Sequence, residues 1–281
     1  MAARIDPAIR AALLDRLHYY RELGVTDFYL RPVPTALKEK LAAQAAVAQQ
    51  AAAAAPAQAA TFTLNTLEDS AIPPRKPLLT QPEIAAEVAP EDHARALEIL
   101  REEIGECTRC PLASGRHKLV FGDGSPTARL MFVGEGPGAD EDAQGLPFVG
   151  RAGQLLNNMI TAMGLKREEV YIANVVKCRP PGNRTPEPTE GATCSPFLFR
   201  QIDIVRPQVL VALGATAATY MLGVRQPLAG LRGRIHAVRG AQLIVTYHPA
   251  YLLRDPRQKK EAWADLQIAM RELGLKPPAR G

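Results

Sequence analysis

The sequence predicts an α/β protein in which an open parallel sheet is covered by helices on both faces. Four short runs, 128–134, 170–176, 208–214 and 242–248, each carry a continuously apolar stretch, as strands buried on both faces must. Helical stretches separate them, and strands alternating with helices build parallel sheets. Each run passes straight into a polar or glycine-rich turn, at 134–138, 174–179, 214–216 and 248–254. In a parallel sheet those ends share one edge, and ligands bind there.

Taken in order, residues 1–31 hold an amphipathic helix over 7–24, with Ile9, Leu13, Leu17, Tyr20 and Leu23 at helical spacing and a glycine stop in "ELGV". Such a helix packs on its own chain or docks on a partner. Residues 32–90 turn to Ala, Gln, Pro and Thr and offer little apolar surface to offset the entropy of ordering, so they read as a linker. The Ala run is at most transiently helical, and the prolines near 73–77 keep their part extended. Residues 91–281 form the catalytic-sized domain. A helix over about 91–105 opens it, "AGQLLNNMITAMGL" is helical between the first two strands, and a Pro-rich loop plus "PFLFRQIDIV" precede the third.

The net charge of +5 lies entirely in residues 91–281, because residues 1–90 hold nine Lys/Arg and nine Asp/Glu. A basic excess on the globular part favours a polyanionic partner. Asp6, Arg10 and Asp15 interrupt the N-terminus, so it does not read as a secretory signal, and the Ala-rich run 42–60, broken by four glutamines and a proline, is too weakly apolar to span a membrane. A cytoplasmic, monomeric protein with no membrane contact is expected.

The four cysteines are Cys107 and Cys110, a C-x-x-C pair, then Cys178 and Cys194 with 15 residues between them. In a reducing compartment such a set points to a tetrahedral metal site rather than disulfides. Four thiolates suit zinc and a [4Fe–4S] cluster alike, and the spacing does not choose between them.

The stretch "GEGPGADEDAQGLPFVGRAG" at 134–153 sets glycines among carboxylates: Glu135, Asp140, Glu141, Asp142 and nearby Asp123. Gly134, Gly136 and Gly138 let the backbone approach a ligand and offer its amides. Asp140 and Asp142 read as solvated or helix-capping groups.

Together, C-x-x-C at 107–110, "GEGPGADED" with "GLPFVGRAG", "NVVKCRPPGNRTP", a fourth cysteine at 194 and "TYHPAYLLR" resemble the iron–sulfur uracil-DNA glycosylases of the family-4 type, in order, from about residue 95 to 275. The first 90 residues lie outside the resemblance. It implies a three-layer α/β/α fold around a four-stranded parallel sheet, and a structural [4Fe–4S] cluster on Cys107, Cys110, Cys178 and Cys194. It also implies excision of uracil from single- or double-stranded DNA to leave an abasic site for base excision repair. By the same resemblance, Phe148 stacks on the flipped base, Asn174 reads the uracil edge, His248 donates to O2 of the leaving base, Glu135 orients the attacking water, and Glu141 stands beside the C5 edge. The family's branches differ at the next position, Gly136 here, where others place an aspartate. At the same edge Arg179, Arg184, Arg254 and Lys177 are candidate phosphate contacts, and Tyr251 and Leu252 candidate wedges into the gap left by the base.

Two other readings compete. A trapping member of the same superfamily would bind uracil-DNA covalently through a histidine in an "RRIH"-like loop. "RGRIH" at 232–236 stands after the third strand rather than the second, so His236 is expected to be structural. A non-enzymatic nucleic-acid-binding module held by zinc would explain the cysteines and charge, but would leave Glu135, Phe148, Asn174 and His248 without a task. The N-terminal segment is expected to contribute little to the catalytic fold and to recruit an unknown protein partner.

Overall fold

The computed structural model describes residues 81–84 and 88–276. The expected helix at 7–24 and most of the linker lie outside the described residues. The core is a six-stranded sheet with the order β1-β3-β2-β4-β6-β5. Its strands are β1 (Asp123–Gly124), β2 (Leu130–Gly134), β3 (Tyr171–Asn174), β4 (Val209–Leu213), β5 (Ile235–Val238) and β6 (Ala241–Thr246). All four predicted strands are present and mutually parallel, as β3, β2, β4 and β6. The expected four-stranded sheet is extended by an antiparallel strand at each edge, β1 on β3 and β5 on β6. Both were missed for a physical reason: β1 is two residues long, and β5 is largely exposed, so neither carries an apolar run.

The continuous apolar runs follow from the layering. Along β2, Met131 and Val133 enter one core cluster while Leu130 and Phe132 enter the other, as the pleat requires. The first cluster is roofed by α1 (His93–Ile104), α4 (Pro188–Val205) and α5 (Ala215–Leu222), and the second by α3 (Arg151–Ala162) and α7 (Lys259–Glu272). Two short helices, α2 (Ala139–Gln144) and α6 (Pro249–Arg254), follow directly on β2 and β6 at the ligand edge.

The β5–β6 turn has Arg239 at φ 50° and Gly240 at φ 80°, both left-handed, the pairing that suits a two-residue hairpin. From this turn Arg239 ion-pairs with buried Asp203 and donates to the carbonyls of Pro82 (2.8 Å) and Glu83 (3.0 Å). Gln81 Nε2 donates to the Met221 carbonyl at 2.8 Å. Residues 81–83, from the end of the expected linker, therefore pack on the domain. A chain starting at residue 91 should keep close to the full-length activity, yet be less stable than one starting at residue 80 by about 1–3 kcal/mol from these lost contacts. Urea midpoints and single-turnover rates of the two chains check this.

Candidate active site

The site is assembled where β2, β3 and β6 end. Gly134 closes β2 opposite Asn174 at the end of β3, and His248 lies two residues beyond β6. Gly134 is required there. A Cβ at that position would collide with Asn174 Oδ1 and lie 2.7 Å from the Phe148 ring, so only glycine lets the amide and the ring meet over the strand end. Gly136 has a similar need, since a Cβ would lie 2.7 Å from Val176 Cγ2. The cavity over this edge has a volume of about 550 Å³ and is lined by Glu135, Gly136, Gly138, Glu141, Phe148, Asn174 and His248, with Arg184, Tyr251 and Arg254 among the rim residues. That is the size of a small-molecule pocket.

Asn174 is buried, and its Oδ1 has no protein partner. A buried acceptor left unmade is costly, which marks this atom as reserved for a ligand. His248 caps α6: the Ala250 backbone N–H donates to its Nδ1 at 3.1 Å, which assigns the ring proton to Nε2. Burial, assisted by the positive charge of Arg254, pushes its pKa down to about 4. The imidazole is therefore neutral at physiological pH and keeps an Nε2–H to donate. Its ring centroid stands 5.6 Å from that of Phe148.

Phe148 adopts φ 53°, the left-handed region that non-glycine residues rarely enter. Glu141 accepts from the backbone N–H groups of Gly138 (3.0 Å), Val149 (3.0 Å) and Gly150 (3.1 Å), so it ties the two halves of the glycine-rich loop together. Glu135 is half-buried in the cavity wall.

Several expected residues stand elsewhere or do other work. Asp142 is neither solvated nor a cap: it is buried and accepts from the His117 backbone (3.0 Å) and from Nδ1 (2.6 Å). The short bond to the His117 ring holds it ionised and lowers its pKa against the cost of burial. Lys177 cannot meet phosphate. It is buried, and its Nζ donates to the Asn174 carbonyl at 2.9 Å and to Gln201 Oε1 at 2.5 Å. Leu252 is 1% exposed and belongs to the core, whereas neighbouring Leu253 is exposed, so the wedge expectation fails for Leu252. The helical phase of α6 decides this, and sequence alone does not set it. Arg184 reaches the rim, but its guanidinium is bidentate on buried Glu190 at 2.7 and 2.8 Å, bracing the Pro-rich loop. Arg179 Nε donates to Asn183 Oδ1, Arg254 is exposed at the rim, and Tyr251 stacks on Tyr247 with centroids 5.2 Å apart. His236 donates from Nε2 to the Leu231 carbonyl at 2.8 Å, on edge strand β5.

Cys107, Cys110, Cys178 and Cys194 converge on one small cavity between α1, the loop after β3 and α4. No group of three or more His, Cys, Asp or Glu among the described residues is arranged to hold a single metal ion. Donors point at the sulfurs: Arg109 to Cys107 Sγ (3.4 Å), Arg116 to Cys178 Sγ (3.3 Å) and the Lys177 backbone N–H to Cys194 Sγ (3.3 Å). N–H···S donors of this kind are what the thiolate ligands of a metal centre receive.

Fold and site together define an α/β protein with a polar, aromatic-walled pocket at the carboxyl ends of parallel strands. The profile of the uracil DNA glycosylase superfamily matches residues 121–267. Among curated relatives, the type-4 uracil-DNA glycosylase of Thermotoga maritima is 50% identical over 161 residues, covering 57% of this chain and 84% of the relative. That of Sulfurisphaera tokodaii is 43% identical over 65% of this chain and 86% of its own length, and that of Archaeoglobus fulgidus 39% over 65% and 96%. The chain belongs to the uracil DNA glycosylase superfamily, in its type-4 branch.

Proposed function

We propose that this protein flips uracil out of DNA and hydrolyses its N-glycosidic bond, leaving an abasic site. The observation that carries the reading is that Phe148, the unpartnered Oδ1 of Asn174 and the neutral His248 share one cavity over Gly134. The Asn174 side chain is the uracil reader: Oδ1 accepts from N3–H and the amide donates to O4, whereas cytosine presents the opposite pattern at both positions. Phe148 supplies the ring face. As the bond from C1′ to N1 breaks, its electron pair stays with the base. His248 Nε2–H donates to O2, where the negative charge gathers. Water adds to C1′ of the cationic sugar, with Glu135 orienting it from the cavity wall, and the proton the water loses passes to solvent, from which the uracil anion is protonated. The engagement of Glu141 with three backbone N–H groups supports a part in shaping the pocket floor beside C5.

His236, on the far edge strand, donates to the Leu231 carbonyl and does not line the cavity, which favours turnover over covalent trapping. A nicking assay on oligonucleotides carrying U:G, U:A or single-stranded U, after alkaline cleavage of abasic sites, tests the function. Stoichiometric covalent product without turnover, or binding without cleavage, would refute it.

Cys107, Cys110, Cys178 and Cys194 are the residues to hold a [4Fe–4S] cluster, which when bound acts as a brace between the segment before β1 and the loop after β3. Cys178→Ser should strip iron and cost soluble yield far more than it alters substrate choice. Iron per chain and visible absorbance measure this, and a colourless, fully active, zinc-loaded wild type would overturn the assignment. No helix among the described residues is long and apolar enough to cross a membrane. We place the protein in the cytoplasm as a monomer on uracil-containing DNA, with residues 91–281 as its catalytic domain, 32–90 as a linker whose residues 81–83 dock on that domain, and 1–31 as a recruiting segment.

A further inference from the structure

The conformation of Phe148 needs a cause. A bulky aromatic residue at φ 53° is strained and persists only where its surroundings over-determine it. On one side of the turn, Glu141 takes the N–H groups of Val149 and Gly150. On the other, Arg167 donates to the carbonyls of Pro147 (2.6 Å) and Phe148 (3.2 Å). The carbonyl of Phe148 also lies against Gly153, where a Cβ would collide with it.

Arg167 does not line the cavity. Its remaining donors go to Asp123 Oδ2, from Nε and Nη2 at 3.2 Å each, and to Asn157 Oδ1 at 2.9 Å. All five guanidinium N–H groups are thus engaged, and the fork is held in one orientation by the edge strand β1 and by α3. The minimal strand β1 and the carboxylate of Asp123 acquire a purpose: they aim Arg167 at the two peptide carbonyls that flank the Phe148 N–Cα bond.

We infer that Arg167 is a positioning residue that acts through Phe148, clamping its backbone in the left-handed conformation so that the ring faces the base pocket. The inference rests on Phe148 being the stacking residue proposed above. Freed from Arg167, the peptide relaxes toward ordinary φ and the ring swings off the floor of Gly134.

The test uses full-length protein with Arg167→Gln, Arg167→Lys, Phe148→Ala and the double variant Arg167→Gln/Phe148→Ala. Three quantities are read: inhibition by free uracil, kcat on a uracil duplex, and affinity for a duplex carrying a tetrahydrofuran abasic analogue, which has no base to stack. Arg167→Gln should weaken uracil inhibition and lower kcat by about tenfold each, the size of one stacked base contact. Tetrahydrofuran affinity and iron content should stay within about twofold, and Arg167→Lys should recover part of the loss. The double variant should be no worse than Phe148→Ala alone, because the two act as one unit. Additive losses, or a wild-type Arg167→Gln beside an impaired Phe148→Ala, would overturn the clamp. If Phe148→Ala itself leaves uracil inhibition unchanged, the stacking role fails rather than the clamp. Should Arg167→Gln not fold, Asp123→Asn loosens the same guanidinium and must give the same pattern at smaller size.

Discussion

His248→Ala should lower the single-turnover rate of uracil release by about two orders of magnitude or more, roughly 2.7 kcal/mol in the barrier, while DNA affinity changes little. The effect falls on chemistry because the Nε2–H is worth most where charge develops, on O2 of the departing base. A donor prepared in advance requires a fixed tautomer. Here the Ala250 N–H provides it by occupying Nδ1. The same burial has a consequence for stability. The folded pKa is about 4, against an ordinary value of 6.5. Between those values the unfolded chain binds a proton that the folded chain refuses, so stability is lost as pH falls from about 6.5 to 4, by on the order of 3 kcal/mol. His248→Gln should flatten that part of the stability profile. Urea melts at pH 7, 5.5 and 4.5 read it directly, and an unchanged slope would show that His248 titrates normally. A wild-type single-turnover rate in His248→Ala would refute its leaving-group role.

Asn174→Ala should be as damaging to turnover, about 100-fold or more, and nearly silent in stability. Oδ1 is buried without a partner, so removing it abolishes an unmet acceptor rather than a bond. The backbone carbonyl of Asn174 keeps its bond from Lys177 in the variant, and β3 keeps its pairing with β2. A melting temperature equal to or above that of the wild type, beside a collapse in uracil excision, is the expected pair of results. A variant that loses several degrees and retains its rate would make Asn174 a structural residue.

The two variants probe residues that were legible for different reasons. The β strands announced themselves because both faces of the sheet are covered, so no polar residue interrupts β2 or β4 and β6 carries the apolar run 243–245. Asn174 and His248 then stood out as polar residues ending apolar runs. The cysteines were visible as a set, although convergence on one cavity is a matter of tertiary structure. Arg167, in "KREE", looked like ordinary surface charge, and no local signal distinguishes a guanidinium that makes five hydrogen bonds within the protein from one that serves water. Lys177 and Leu252 were misread for the same reason. Lys177 follows an apolar strand and Leu252 sits in a six-residue helix, and whether such side chains face the core or the solvent depends on what packs beside them.

By itself, then, the sequence determined the parallel α/β core, the edge at which ligands bind and the identity of the residues that close it, because these follow from apolar periodicity and strand order. Only the tertiary structure decided the antiparallel edges, the docking of residues 81–83 on Arg239, the tautomer of His248 and the clamp on Phe148. Edge strand β1, the docked residues and the clamp depend on hydrogen bonds between groups far apart in the chain, whose partners are chosen by packing, while the β5–β6 hairpin and the His248–Ala250 bond depend on local backbone geometry that the apolar pattern does not encode.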